Sequence, residues 1–367
     1  MLFHPVEPPL MRSPDPGRSA ARDSDPPDSF PTEADLDEFL TRPRPVLVEF
    51  MRTLAGPLVV LGAGGKMGPT LAVLARRAAD QARAPLAITA VSRFSNQAAR
   101  SWLESRGVRT ISSDLLDRRC LTELPEAAAV VYLVGLKFGT SRNPSLTWAV
   151  NTLVPAHIGE RYARSRIVAL STGNVYPLVP AEGSGAGEDH PLTPLGEYGN
   201  AAIARERLFE HFAGLHATPL ALVRLNYALD LRYGVLADLA RHVAAGDPVN
   251  LGNGRFNGIW QGDANEFILR ALALAGTPPT VWNLTGLESW RVREVAIRLG
   301  ELLGRAPVFE GLESSTALLS DARRLSQELG PPPTPLDAVL RWTAAWVREG
   351  GRDLGKPTHF EVRDGRY

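Results

Sequence analysis

The stretch that decides the fold is Leu58-Val59-Val60-Leu61-Gly62-Ala63-Gly64-Gly65-Lys66-Met67-Gly68. Four consecutive aliphatic residues read as a short strand buried on both faces. Gly62, Gly65 and Gly68 then follow in the pattern G-x-x-G-x-x-G, and a helix-forming run continues through Arg76. The first glycine allows a tight turn out of the strand. The second lets main chain approach a pyrophosphate, and the third lets helix and strand pack closely. The helix N-terminus adds partial positive charge. A glycine pattern alone is weak evidence, but a strand before it and a helix after it are the context a dinucleotide-binding turn requires. Gly62, Gly65, Lys66, Met67 and Gly68 are therefore candidate cofactor-binding residues.

Outward from the turn, strand and helix alternate. Strands are predicted at 86–91, 108–111, 130–134, 167–170 and 220–224, with helices at 98–106, at 148–161 and after Tyr198. This alternation predicts an α/β fold, a Rossmann-type doubly wound parallel sheet. Beyond about Asn226 it loosens into strand-like 256–260 and 281–284 and helices at 264–273, 292–302 and 336–346. The expected organisation is a leader over 1–31, an N-terminal helical extension over 32–56, a dinucleotide-binding Rossmann domain over 57–225, and a smaller, mainly substrate-binding C-terminal lobe over 226–367. The leader holds eight of the 30 prolines and is expected to be disordered. In the extension, Thr32 and Asp35 form a capping-box pattern ahead of Leu36, Phe39 and Leu40.

Composition narrows the function classes. The 367 residues carry 40 basic and 40 acidic side chains, so no bulk charge draws the chain to nucleic acid or an anionic membrane. One cysteine, Cys120, excludes a disulfide framework and a multi-cysteine metal site. The seven histidines show no metal-ligand spacing. No apolar run approaches the ~18–20 residues of a membrane span, and no signal-peptide core is visible. A soluble, cytoplasmic protein acting on a small molecule is expected, without nucleic acid, membrane or metal. Only three of the 40 basic residues are lysine: Lys66, Lys137 and Lys356.

The end of the second strand bears on the cofactor. An acid there would hold the ribose 2′-hydroxyl of NAD. This chain has Ser92 and Arg93, and guanidinium matches phosphate, so Arg93 favours NADP over NAD without excluding either. Arg93 is otherwise a solvated helix-start residue. Asp114-Leu115, past the third strand, is placed to meet the adenine or to form an ordinary turn. Gly135 follows the fourth strand and borders the same edge.

In these motifs, and in several later ones, the chain resembles the extended short-chain dehydrogenase/reductases, in the NAD-dependent epimerase/dehydratase branch. The resemblance runs over about 57–347. It rests on the glycine turn, Asp114-Leu115, Asn151, the run Leu170-Ser171-Thr172-Gly173-Asn174-Val175-Tyr176, Tyr198 with Glu206, Arg224-Leu225-Asn226, and Asp263. It implies an NAD(P)-dependent oxidoreductase or epimerase moving a hydride at a secondary alcohol or ketone, possibly of a sugar or nucleotide sugar. Thr172 matches the hydroxyl that positions the substrate oxygen, and Tyr198 the acid/base tyrosine. The family's tyrosine is driven from about 10 toward neutrality by a lysine four residues later. Ala202 stands at that position, which keeps a non-catalytic NAD(P)-binding role, structural or redox-sensing, as the alternative. Lys137, in the loop after the fourth strand, is either a solvent-facing loop lysine or the replacement, with Arg205 the weaker candidate.

For the substrate, family members acting on sugar nucleotides often carry arginine seven residues before the aspartate matched by Asp263. Phe256 stands there, with Arg255 one residue off. Arg255, Asn174 and Asn226 are the candidate substrate-binding residues. Tyr227, Arg232 and Tyr233 either line the pocket or pack the interlobe seam. The loop 182–191, with His190, reads as a mobile flap. Family members often dimerise through two helices, which begin near Trp148 and Tyr198 and are apolar enough to permit a homodimer.

Overall fold

The computed structural model describes residues 27–366 except 138, 141 and 357, so most of the predicted leader lies outside them. Its last residues are packed, contrary to expectation. The Trp342 indole donates to the Pro27 carbonyl at 2.6 Å, and Phe30 lies edge-on to Trp342 at 5.3 Å. An aromatic side chain with an aromatic seat orders the chain before Thr32. Helix α1 (Glu33–Leu40) starts on the expected capping box, and α2 (Pro45–Arg52) follows. Leu36 and Leu40 of α1 join one apolar core, and Leu47 and Met51 of α2 join another. The extension thus clips two bodies together.

The central sheet holds β1 (Leu58–Leu61), β2 (Ile88–Ser92), β3 (Arg109–Ser112), β4 (Ala129–Tyr132), β5 (Arg166–Thr172), β6 (Leu220–Leu225) and β7 (Thr280–Leu284). The order is β7-β6-β5-β4-β1-β2-β3, with every neighbouring pair parallel. The smaller-lobe placement expected for 281–284 is corrected: that segment is the seventh strand, in register with β6 from Thr280–Ala221 to Leu284–Leu225. Without it, β6 would leave a row of main-chain groups unpaired at an edge.

Successive side chains of β1 alternate between two cores, as a strand's period of two requires. Leu58 and Val60 pack with α3 (Gly68–Gln81) on one face. Val59 and Leu61 pack on the other face with α5 (Pro144–Arg161) and α6 (Gly196–His216). Between β2 and β3 lies α4 (Gln97–Glu104). The second body is built on α7 (Val235–Ala245), α9 (Val292–Leu303) and α11 (Leu336–Arg348), around Trp260, Trp342 and Phe360. Trp342 and Trp346 are core residues, as their spacing of four suggests. Linking the bodies, α8 (Gln261–Arg270) packs Phe267 and Ile268 onto the sheet, and α10 (Arg323–Leu329) adds Leu325 to the same core. The strand-like 256–260 resolves into two-residue strands, Arg255–Phe256 and Ile259–Trp260. In the sheet, β1 lies between β2 and β4. The chain reverses its winding there, and a cleft opens at the carboxyl ends of these strands.

Candidate active site

Two adjoining arms of a cleft lie over the strand ends and share Gly62, Gly65, Leu133 and Gly135. The outer arm, about 270 Å³, lies between the glycine turn, Ser92-Arg93 and Asp114-Leu115. Gly62 has φ +81°, and a Cβ on it would sit 2.9 Å from the Val134 nitrogen. A Cβ on Gly68 would sit 2.5 Å from Cα of Ala63, so helix and turn touch backbone to backbone. Gly65 differs. It is exposed, and its nearest neighbour would be the Gly62 oxygen at 3.3 Å. The turn is thus closed behind and open in front, with the start of α3 facing the opening. These residues fit a dinucleotide diphosphate.

Arg93 and Asp114 are both exposed at the rim of this arm. The Asp114 carboxylate also accepts from Leu116 N at 3.1 Å, so its turn role and its place in the cleft coexist. Asn96, which caps α4, and Phe94 line this arm too and were not picked out by motif. Their signal was position alone, a few residues past the end of β2.

The reaction arm, about 300 Å³, brings together Lys137, Thr172, Asn174, Tyr198 and Asn226 with Lys66, Met67, Gly68 and Gly135. Thr172 ends β5 and donates to the Asn174 side-chain oxygen at 3.1 Å, while the Asn174 amide donates back to Thr172 Oγ1 at 3.2 Å. Tyr198 enters from α6 and is buried. Next to it, a Cβ on Gly199 would meet the Asn174 carbonyl oxygen at 2.7 Å, so α6 sits directly on the turn after Thr172.

Lys66 is redirected. It was expected at the phosphate end, but its ammonium donates to the Ala228 carbonyl at 2.7 Å and lies 4.0 Å over the Tyr233 ring. Burial pulls its pKa down to about 7. Burial likewise lowers Lys137 to about 8, with the Glu361 carboxylate opposing. Two amines therefore line the reaction arm with pKa values near neutrality. Tyr227 and Tyr233 line it as well, whereas Arg232 is a seam residue bonded to Asp230, Glu33 and Asp37. Thr358 also reaches this arm from far along the chain, with no sequence signal.

Behind Thr172 lies a buried polar network. Ser171 donates to Glu206, which Arg224 holds bidentately at 2.7 and 3.0 Å. Arg224 also donates to the Tyr176 hydroxyl at 2.8 Å, and Tyr176 donates to Asn283 at 2.9 Å. Asn151 donates to the Leu136 carbonyl at 3.3 Å and so steadies the Lys137 loop. Arg205 is buried behind that loop, donating to the Val134 carbonyl at 3.1 Å. Ala202 packs in an apolar cluster with Val175 and Tyr176.

Other expectations are corrected. Arg255 does not line either arm; it pairs with Glu182 at 2.7 Å and donates to Ser289 at 3.2 Å. Its neighbour Phe256 took the inward position in the second core. The loop 182–191 is pinned rather than flap-like: Ala186 N donates to Leu319 O at 2.9 Å, and Glu188 accepts from Asn283 N at 2.9 Å. Asp263 lies away from the cleft and caps Thr334; burial raises its pKa to about 6. Among the described residues, no helix is long and apolar enough to cross a membrane, and no group of three or more His, Cys, Asp or Glu is placed to hold a metal.

The sequence matches the model of the NAD dependent epimerase/dehydratase family over residues 58–284. The chain belongs to this family. Its relatives of known structure share the fold at low identity. UDP-glucuronic acid 4-epimerase from Bacillus cereus, solved with UDP-glucuronic acid and NAD, is 18% identical (TM-score 0.65) over 80% of this chain and 99% of its own. UDP-glucose 4-epimerases from Thermus thermophilus, solved with NAD, and Thermotoga maritima, solved with UDP-glucose, are 21% and 18% identical. Each has a TM-score of 0.64 over 80% of this chain and 99% of its own. No curated protein matches the sequence.

Proposed function

We propose that this protein is an NAD(P)-dependent oxidoreductase or epimerase acting at a secondary alcohol or ketone. The carrying observation is that the glycine turn joins two adjoining arms, one lined by Ser92-Arg93 and Asp114-Leu115 and the other by Thr172 and Tyr198. The amides after Gly62 and Gly65, with Met67 and Gly68 opening α3, would hold the diphosphate. Ser92 and Arg93 would meet the adenosine ribose, Arg93 favouring a 2′-phosphate and so NADP, and Asp114-Leu115 would meet the adenine. Gly135 would border the nicotinamide half, and a bound nicotinamide would supply a hydride donor or acceptor. Thr172 hydrogen-bonds the substrate oxygen, Tyr198 takes or returns its proton, and Asn174 and Asn226 orient the substrate. Lys137, with Lys66 across the same arm, supplies the positive charge that Ala202 cannot.

The UDP-sugars bound by the structurally similar epimerases make a sugar-type alcohol the first class to test. Purified protein is titrated with NAD(H) and NADP(H), then assayed on ketones, sugars and nucleotide sugars, with Tyr198→Phe as control. Tyr198-dependent turnover is expected. Binding without it replaces this reading with a non-catalytic, structural or redox-sensing role, which Ala202 favours. No binding removes both.

A homodimer along α5 and α6 belongs to the same reading, since Trp148 and Leu153 stand exposed there. Light scattering on Leu153→Arg tests it. Use of the cell's soluble dinucleotide pool fits a cytoplasmic location.

A further inference from the structure

The reaction arm is walled by a segment that none of the family motifs includes. Beyond α11 the chain turns back, and Leu354 N donates to the Arg232 carbonyl at 3.1 Å. Thr358 then lines the reaction arm. Thr358 N and Oγ1 both donate to Asp238, at 2.9 and 2.5 Å. The Phe360 carbonyl accepts from Asn253 at 2.8 Å, and its ring is buried in the second core. Arg363 grips Thr316 through two bonds of 2.7 Å. Gly365 finally reaches the sheet body. A Cβ there would lie 2.3 Å from the Leu195 oxygen, three residues before Tyr198.

The consequence is spatial. Beside the reaction arm, and sharing Asn174 and Tyr227 with it, lies a separate small cavity of about 20 Å³ lined by Val362, Arg363 and Gly365. That holds about one water. The reaction arm itself, about 300 Å³, is at the lower end of the ~300–1,000 Å³ typical of ligand sites and must also take the nicotinamide end of a cofactor. Arg255, the one arginine placed by sequence to clamp a nucleotide diphosphate, is committed to Glu182.

We propose that residues 358–366 form a fixed wall of the reaction arm, and that the substrate is a small alcohol or ketone bearing no nucleotidyl group. This rests on the oxidoreductase reading and names its substrate class. The segment is hydrogen-bonded to Asp238, Asn253 and Thr316 of one body, and Gly365 lies against Leu195 of the other.

The test uses the full chain. Binding of UDP and UDP-glucose is measured calorimetrically with and without saturating dinucleotide. Turnover is compared between UDP-sugars and small hydroxy-ketones and free sugars. Two variants open the wall: Gly365→Val, whose side chain collides with Leu195, and Arg363→Ala, which frees the Thr316 grip. Circular dichroism and dinucleotide binding report that they fold. The expected result is no UDP binding by the wild type at millimolar nucleotide, and at least about a tenfold gain in UDP affinity in a folded variant. Micromolar UDP-glucose binding by the wild type overturns the proposal, whether or not the segment moves aside. So does a pair of folded variants that still exclude UDP. Failure of the oxidoreductase reading registers separately, as absent dinucleotide binding or absent turnover on every small substrate.

Discussion

Arg224 and Glu206 face each other in a buried, bidentate ion pair, 2.7 Å apart at the closest atoms, directly behind the strand end that carries Thr172. Both side chains are almost fully enclosed, at 4% and 0% exposure, so neither charge has water to fall back on. Removing one partner strands the other. Glu206→Ala is expected to cost about 3–5 kcal/mol in denaturant unfolding. A loss below about 1 kcal/mol would mean that the network is not formed as described.

The glycine turn separates structural from binding roles. Gly68→Ala drives a Cβ into the backbone of Ala63, and overpacking of this kind costs about 1–3 kcal/mol. Gly65→Ala meets only the Gly62 oxygen at 3.3 Å, so its melting temperature is expected to stay near wild type while dinucleotide affinity falls. Equal affinities for wild type and Gly65→Ala would show that the turn does not hold the diphosphate.

Arg93 is exposed at the rim, so its replacement leaves folding unchanged. Arg93→Ala is expected to weaken NADPH about tenfold, roughly 1.4 kcal/mol, and to leave NADH within error. Fluorescence titration of the two reduced dinucleotides reads this directly.

The reaction arm is expected to lose positive charge as pH rises, first at Lys66 near 7 and then at Lys137 near 8. Anionic ligands should therefore bind less tightly above about pH 8 than below about pH 7. In Lys66→Met the step near 7 disappears and the one near 8 stays. Folding follows a definite sign. Burial makes Lys66 harder to protonate in the folded chain, so between about 7 and 10.5 the unfolded chain binds more protons. This residue's contribution to stability thus rises with pH across that window, and Lys66→Met flattens the slope.

Tyr198→Phe removes only a hydroxyl from a side chain lining the reaction arm. Turnover is expected to fall roughly 10²–10⁴-fold with dinucleotide affinity unchanged. Steady-state assays paired with binding titrations separate the two effects.

Much of the fold is legible in short stretches because its signals are local. The run 58–68 carries strand, turn and helix within eleven residues, and Thr32 with Asp35 forms the cap that their spacing predicts. The site is partly legible for the same reason: Thr172 and Asn174 lie on one turn, and Gly199 sets Tyr198 against it. What stayed hidden depends on distant chain. Nothing near 281–284 says that its free edge partner is β6, sixty residues earlier. Nothing near Arg255 says that Glu182 claims it.

The sequence by itself determined the parallel α/β fold, the dinucleotide turn and the absence of a lysine at Ala202, since each is a matter of residue type at fixed local spacing. Where Lys66 and the far end of the chain go is set by tertiary packing alone. Lys66 leaves the phosphate turn because a carbonyl and an aromatic face from the second body, at Ala228 and Tyr233, lie within its reach. Thr358 reaches the reaction arm because the partners of its segment, Asp238, Asn253 and Thr316, come together only when that second body folds.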